Sequence, residues 1–188
     1  MNGIQLISHP ATNLPRVGAL LLDLSLTGAG DLRARFDCRC RAGALRLPQA
    51  RPAQAADELW RHTCCELFVG VAGDPGYREF NCSPSGQWAM YGFSAYRERE
   101  PSPFQPTVPA PSIEFASEAG GWTLQVRIAA AALPRAAAAQ IELGVAVVLE
   151  AEQGSLSYWA LRHAAERPDF HRRETFVLRL SEIAQEAG

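Results

Sequence analysis

From Leu32 to Arg41 the chain alternates without a break: Leu32, Ala34, Phe36, Cys38 and Cys40 are apolar, whereas Arg33, Arg35, Asp37, Arg39 and Arg41 are charged. A period of two predicts a β-strand with one face on a core and the other in water, a pattern that helical spacing does not produce. Upstream, the Leu-rich segment Val17 to Leu26 reads as a second strand, and Thr27-Gly28-Ala29-Gly30-Asp31 is a turn that folds the two into an antiparallel hairpin. After a loop from Pro48 to Glu58, Cys64 to Val71 and Tyr77 to Cys82 read as strands around the Gly73-Asp74-Pro75-Gly76 turn. Ser83-Pro84-Ser85-Gly86 then leads into an aromatic strand, Gln87 to Tyr96. The prolines at 101, 103, 106, 109 and 111 make Pro101 to Pro111 an exposed connection.

Ser112 to Glu118 and Trp122 to Ile128 form another hairpin about Gly120-Gly121, with Trp122, Leu124, Val126 and Ile128 toward the core. Ala129 to Gln140 has helical composition, but Pro134 inside it limits the segment to one short helix at most. Ile141 to Ala151, Ser157 to Leu161 and Thr175 to Leu180 complete the set. About nine or ten short strands at this spacing predict an all-β fold, an antiparallel β-sandwich.

Composition fits that reading. Of 188 residues 47% are apolar and 20% charged, which excludes a disordered chain and predicts a single domain over 1–188. All 18 basic residues are Arg, and with 20 acidic residues the formal charge is -2; without a basic stripe, nucleic acid is not an expected partner. The N-terminal stretch has no cation before Arg16 and is broken by Asp23 and Ser25, so it lacks the makeup of a secretory signal. No apolar run nears the roughly 20 residues of a membrane span, and a cytoplasmic protein without membrane attachment is expected. The five Cys contain no Cys-x-x-Cys pair and should be reduced thiols; the one metal-like grouping is His62 with Cys64 and Cys65.

Two stretches carry a family likeness. Leu59-Trp60-Arg61-His62-Thr63-Cys64-Cys65-Glu66-Leu67-Phe68, followed by Tyr77-Arg78-Glu79-Phe80-Asn81-Cys82-Ser83-Pro84-Ser85-Gly86-Gln87-Trp88 and Tyr91 to Arg97, resembles the DOMON-like superfamily, in its bacterial branch related to family 9 carbohydrate-binding modules. Tyr158-Trp159-Ala160-Leu161-Arg162-His163 and Pro168-Asp169-Phe170-His171 resemble the closing segment of a bacterial subgroup, some members of which accompany a cell-wall precursor reductase. The resemblance implies a β-sandwich whose relatives bind sugars or haem on one sheet. It departs from the pattern where Cys64 follows Thr63, a place at which relatives often carry an acidic residue.

The candidate site follows from side-chain chemistry. Trp60, Trp88 and Trp159 offer flat faces of the kind that stack on a pyranose. Glu79 and Asn81 share a strand face with Tyr77, while Glu66 shares one with Phe68 in an otherwise apolar strand, where a buried carboxylate calls for a partner such as Arg97 or Arg162. Arg162 and His163 open the densest polar stretch, which continues through Asp169 and His171. Arg61, Arg97 and Arg162 suit a carboxylate or phosphate on the ligand.

The expected function is therefore a carbohydrate or sugar-derivative binding module without catalysis of its own, its ligand a small saccharide. Two alternatives are a haem-binding domain, with Met90 and either His163 or His171 as axial ligands, and a protein-interaction module serving a neighbouring enzyme. The chain has no Gly-x-Ser-x-Gly, phosphate-binding Gly loop or His-Glu-x-x-His; a hydrolase would need a carboxyl pair, for which Glu66 with Glu79 is one candidate.

Overall fold

A computed structural model describes residues 1–12, 16–101 and 108–185. Residues 102–107, the middle of the proline-rich connection, lie outside the described residues. The structure is all-β: thirteen antiparallel strands in two sheets and, among the described residues, only short 3-10 turns besides. One sheet has five strands in the order β1 (Ile4–Gln5), β3 (Val17–Leu26), β4 (Leu32–Cys40), β10 (Gly121–Ile128), β9 (Ser112–Glu118). The other has eight. Seven follow the order β2 (Ile7–Ser8), β12 (Leu156–Ala160), β11 (Ile141–Glu150), β5 (Cys64–Val71), β6 (Tyr77–Cys82), β7 (Trp88–Ala95), β8 (Glu98–Arg99), and β13 (Leu178–Arg179) pairs with the start of β11.

The predicted hairpins are in place, with Phe36 opposite Leu22 on one side and Leu124 on the other. The Ala-rich segment forms no α-helix; Pro134 separates two 3-10 turns, Ala130–Ala132 and Ala138–Gln140. The strand expected from Thr175 to Leu180 shrinks to the two residues of β13, because 3-10 turns at Arg173–Thr175 and Leu180–Glu182 bend the chain on either side.

The sheets meet through their inner faces. Leu22, Leu24, Phe36 and Leu124 from the five-stranded sheet pack against Leu67, Phe80, Met90, Val147 and Leu149 of the eight-stranded one. β5 is buried on both faces, and the residues of β6, β7 and β11 that point away from this core are largely buried too. Their cover is the segment after β12. Phe170 and Phe176 join Phe68, Tyr77, Tyr91 and Phe93 in a second apolar cluster on the outer face. Gly144 of β11 permits this closeness, since a Cβ there would stand 2.8 Å from the ring of Phe176. Arg173 lies beside it, its guanidinium donating to the Val71 carbonyl and to Glu142, each at 2.8 Å. The outer face is thus sealed at one end and open at the other.

Candidate functional site

At the open end lies a cleft of about 470 Å³. Its floor is the outer face of five neighbouring strands: Tyr158 from β12, Val148 from β11, Glu66 from β5, Glu79 from β6, Tyr91 and Phe93 from β7. Trp60, on the 3-10 turn Leu59–Arg61, forms one wall; Phe170 and His171 form another; Arg97 and Arg99 stand at the rim. Alternation accounts for the convergence, because register sets Glu66 opposite Asn81, and Glu79 opposite both Phe68 and Tyr91, on one pleated face. Small residues flank Glu66 in its row, with Ala146 and Ala160 on one side and Ala89 beyond Asn81 on the other.

Glu66 and Glu79 are the buried acidic residues of the cleft, each with 4% of its surface exposed. Glu66 makes no hydrogen bond to any described residue. Burial, and then the neighbouring charge of Glu79, push its carboxyl well above the usual carboxylate range, and Arg97 opposes this only at a distance. Glu79 accepts a 2.7 Å bond from Asn81 Nδ2, but burial still raises its pKa to about 7. The Oδ1 of Asn81 is buried and without a partner among the described residues.

His171 is held in a defined state. The Arg97 backbone N–H donates to Tyr77 Oη at 3.1 Å, leaving the phenol proton for His171 Nδ1 at 2.8 Å. That assignment puts the ring proton on Nε2, which lies 3.9 Å from Glu79 Oε2. Burial, seconded by the charge of Arg97, lowers the imidazole pKa to about 4, so at neutral pH the contact is between a neutral ring and the carboxyl and is too long for a hydrogen bond.

Both rim arginines are engaged elsewhere. Arg97 donates to Asp169 Oδ1 at 2.9 Å, and Asp169 also accepts from Tyr96 Oη at 2.6 Å and contacts Arg172 at 3.4 Å. These bonds pin the loop after β12 to the turn between β7 and β8. Arg99 lies 3.9 Å above the Tyr91 ring and 3.7 Å from Asp57, which also accepts the Tyr91 hydroxyl proton. Arg97 and Glu58, the residue preceding the Trp60 turn, both have φ of 58°, and they are the non-glycine residues with positive φ among the described residues. Strained backbone therefore borders the cleft on two sides.

Of the residues expected from sequence, Trp60, Glu66, Glu79 and Arg97 come together in the cleft, and Asn81 supports it from beneath. The others lie elsewhere. Trp159 is 6% exposed and faces the core between the sheets, its Nε1 donating to Ser157 at 2.9 Å, while Tyr158 takes the cleft side. Trp88 packs toward the same core, and its backbone bonds to Gln54 and Ala56. Arg61 turns to Glu58 at 2.7 Å, and Arg162 is exposed without lining the cleft; of the two arginines proposed for Glu66, Arg162 is thus away from it and Arg97 bonds to Asp169 instead. His163 bonds to the Ile7 carbonyl at 2.8 Å and packs edge-on against His9, tying the N-terminal strand to the loop.

The haem ligand pair does not fit either, because Met90 is 1% exposed between the sheets and His163 is spent on Ile7. His62 bonds to Glu150 at 2.7 Å, while Cys65 faces the inter-sheet core and adjacent Cys64 the opposite side, so these three share no ligand centre. Tyr91, Phe93, Arg99, Tyr158, Phe170 and His171 were not singled out as ligand contacts by sequence reasoning. For Tyr91 and Phe93 the signal was present, since they share the parity of the strand face paired with Glu79.

No protein-family profile matches the chain, and no curated protein does. Among solved structures, the fold is similar to a candidate carbohydrate-binding protein from Bacteroides uniformis, with a TM-score of 0.55 and 19% identity, over 78% of this chain and 71% of that one. The likeness is one of fold: a sandwich of the kind seen in that protein.

Proposed function

We propose that the chain is a carbohydrate-binding protein of the DOMON-like, family 9-related type, which holds a small saccharide or sugar derivative in the outer cleft and carries out no reaction on it. The observation that carries this reading is the make-up of the cleft: Trp60, Tyr91, Phe93, Tyr158 and Phe170 surround two buried carboxyls. Apolar ring faces accept the C–H side of a pyranose, while acid and amide groups take its hydroxyls in directed bonds. The volume lies in the usual range of small-molecule sites, about 300–1,000 Å³. The fold likeness to the Bacteroides protein supports binding rather than catalysis.

A thermal-shift panel of sugars and sugar nucleotides tests the reading. At least one should raise the melting temperature, and Trp60→Ala and Tyr158→Ala should each weaken that ligand by about tenfold, the worth of one good aromatic contact. Trp159→Phe should leave affinity unchanged. A panel without a response, or a response indifferent to Trp60 and Tyr158, overturns it.

A further inference from the structure

We propose that the floor of the cleft is a subsite for a primary ammonium group, and that the saccharide it selects is therefore an amino sugar with a free amine. This rests on the saccharide reading above and deepens it. On the floor of the cleft acceptors outnumber donors. Glu66 is 4% exposed, lines the cleft and has no hydrogen-bond partner among the described residues. Diagonally across from it, Glu79 receives one bond, from Asn81, which leaves Oε2 with only the distant imidazole. Asn81 Oδ1, at the same level of the sheet, is buried and unsatisfied. Against these stand two neutral donors, the Nε2–H of His171 and the hydroxyl of Tyr158, which lines the same cleft within reach of the Glu66 charge.

Cations that might neutralise the carboxyls are committed at the rim. Arg97 is bound to Asp169, and Arg99 lies over Tyr91 beside Asp57. For the same reason the arginines do not make this an anion site: a carboxylate or phosphate on the floor would meet two carboxyls with no free cation beneath it. A hydroxyl brings one donor and no charge. An ammonium brings three donors and the missing positive charge. The rings of Tyr158 and Phe170 line the same cleft, and aromatic rings favour a cation as well. Burial holds both carboxyls above the usual range, with the charge of Glu79 adding to it at Glu66, and a cation bound between them favours their ionised forms.

Calorimetric titration of the whole chain at pH 7 with glucosamine, glucose, N-acetylglucosamine and methylammonium separates the possibilities. Glucosamine and glucose differ only in the group at one carbon. Glucosamine should bind at least about tenfold more tightly than glucose, the scale of one charge-assisted contact, and N-acetylglucosamine should lose the same advantage. Glu66→Gln keeps the size and hydrogen-bonding capacity of the acid while removing its charge, and it relieves a buried carboxyl, so it should fold; it should bring the preference below about twofold. Equal binding of glucose and glucosamine, or a preference that survives Glu66→Gln, overturns the ammonium subsite and leaves the saccharide reading standing. Methylammonium bound in a Glu66-dependent way with no response to any sugar upholds the subsite and overturns the saccharide reading. Silence from all four probes overturns the subsite.

Discussion

The outer faces of the two sheets begin from the same period of two and end opposite in character. On the five-stranded sheet Arg33, Arg35 and Arg39 are exposed, and Asp37 meets its neighbours Arg35 and Arg39 only at 3.8 Å. On the eight-stranded sheet the corresponding face carries Glu66, Phe68, Tyr77, Glu79, Tyr91 and Phe93, all buried. The difference lies in what covers them. Charges facing water cost nothing to keep and contribute little. Carboxyls enclosed by Phe170, His171 and the Trp60 turn carry a desolvation penalty that nothing in the folded chain fully offsets, and such a penalty is informative about a ligand.

Substitutions that break this contrast should differ most where the cover is tightest. Phe68 is buried against Tyr77, His171 and Phe176, with ring centroids 5.3 to 6.5 Å away. Phe68→Ala should therefore cost about 3–5 kcal/mol in chemical denaturation. It should also weaken ligand binding, since His171 loses its support.

Stability should also depend on pH, to a lesser extent. His171, ordinarily near 6.5, titrates near 4 in the fold; its lowered pKa contributes stability that is present above about 6.5 and lost as pH falls toward 4. Glu79, raised to about 7, acts in the opposite sense: its contribution is full below the ordinary glutamate value of about 4.3 and is lost as pH rises through 7. Each amounts to at most about 3.5 kcal/mol. Denaturant midpoints measured from pH 4 to 8 should show the acid limb flattened in His171→Asn and the limb toward neutrality flattened in Glu79→Gln.

A smaller effect is expected at Asp169, whose partners Arg97 and Arg172 are both partly exposed. Asp169→Asn should lower stability by about 1 kcal/mol after solvent screening and should raise hydrogen exchange in the loop between β12 and β13. Smallest of all, Arg35→Ala on the other sheet should stay within about 0.5 kcal/mol in the same denaturation assay and leave ligand binding unchanged.

The same contrast explains what was legible in the sequence. Strands of the five-stranded sheet announce themselves, because water on one side enforces a charged residue at every second position from Arg33 to Arg39. β11 shows no alternation over Val145 to Leu149, since both of its faces are buried, and its length and composition alone identify it. β12, with Tyr158 next to Trp159 in five residues, gives no parity signal at all; the choice of which ring reaches the cleft is made by pairing with β11, which sets Trp159 opposite Val147 on the core side. Glu66 was readable because it stands in an otherwise apolar strand, and Glu79 because it shares parity with Tyr77 and Asn81; that the two carboxyls meet on one face is set by the register of β5 against β6. His171 was visible only as part of a polar stretch; its contact with Tyr77 spans 94 positions and is a product of tertiary structure.

The claim that most needs a direct test is that ligand enters over the eight-stranded sheet, beside Trp60. Of the four tryptophans Trp60 is 45% exposed, whereas Trp122 and Trp159 are buried between the sheets and Trp88 is partly buried against that core. A fluorescence titration with glucosamine should give a saturable blue shift in the wild-type protein, as sugar displaces water from the Trp60 ring, and no shift in Trp60→Phe. A shift of equal size in both proteins would contradict the account.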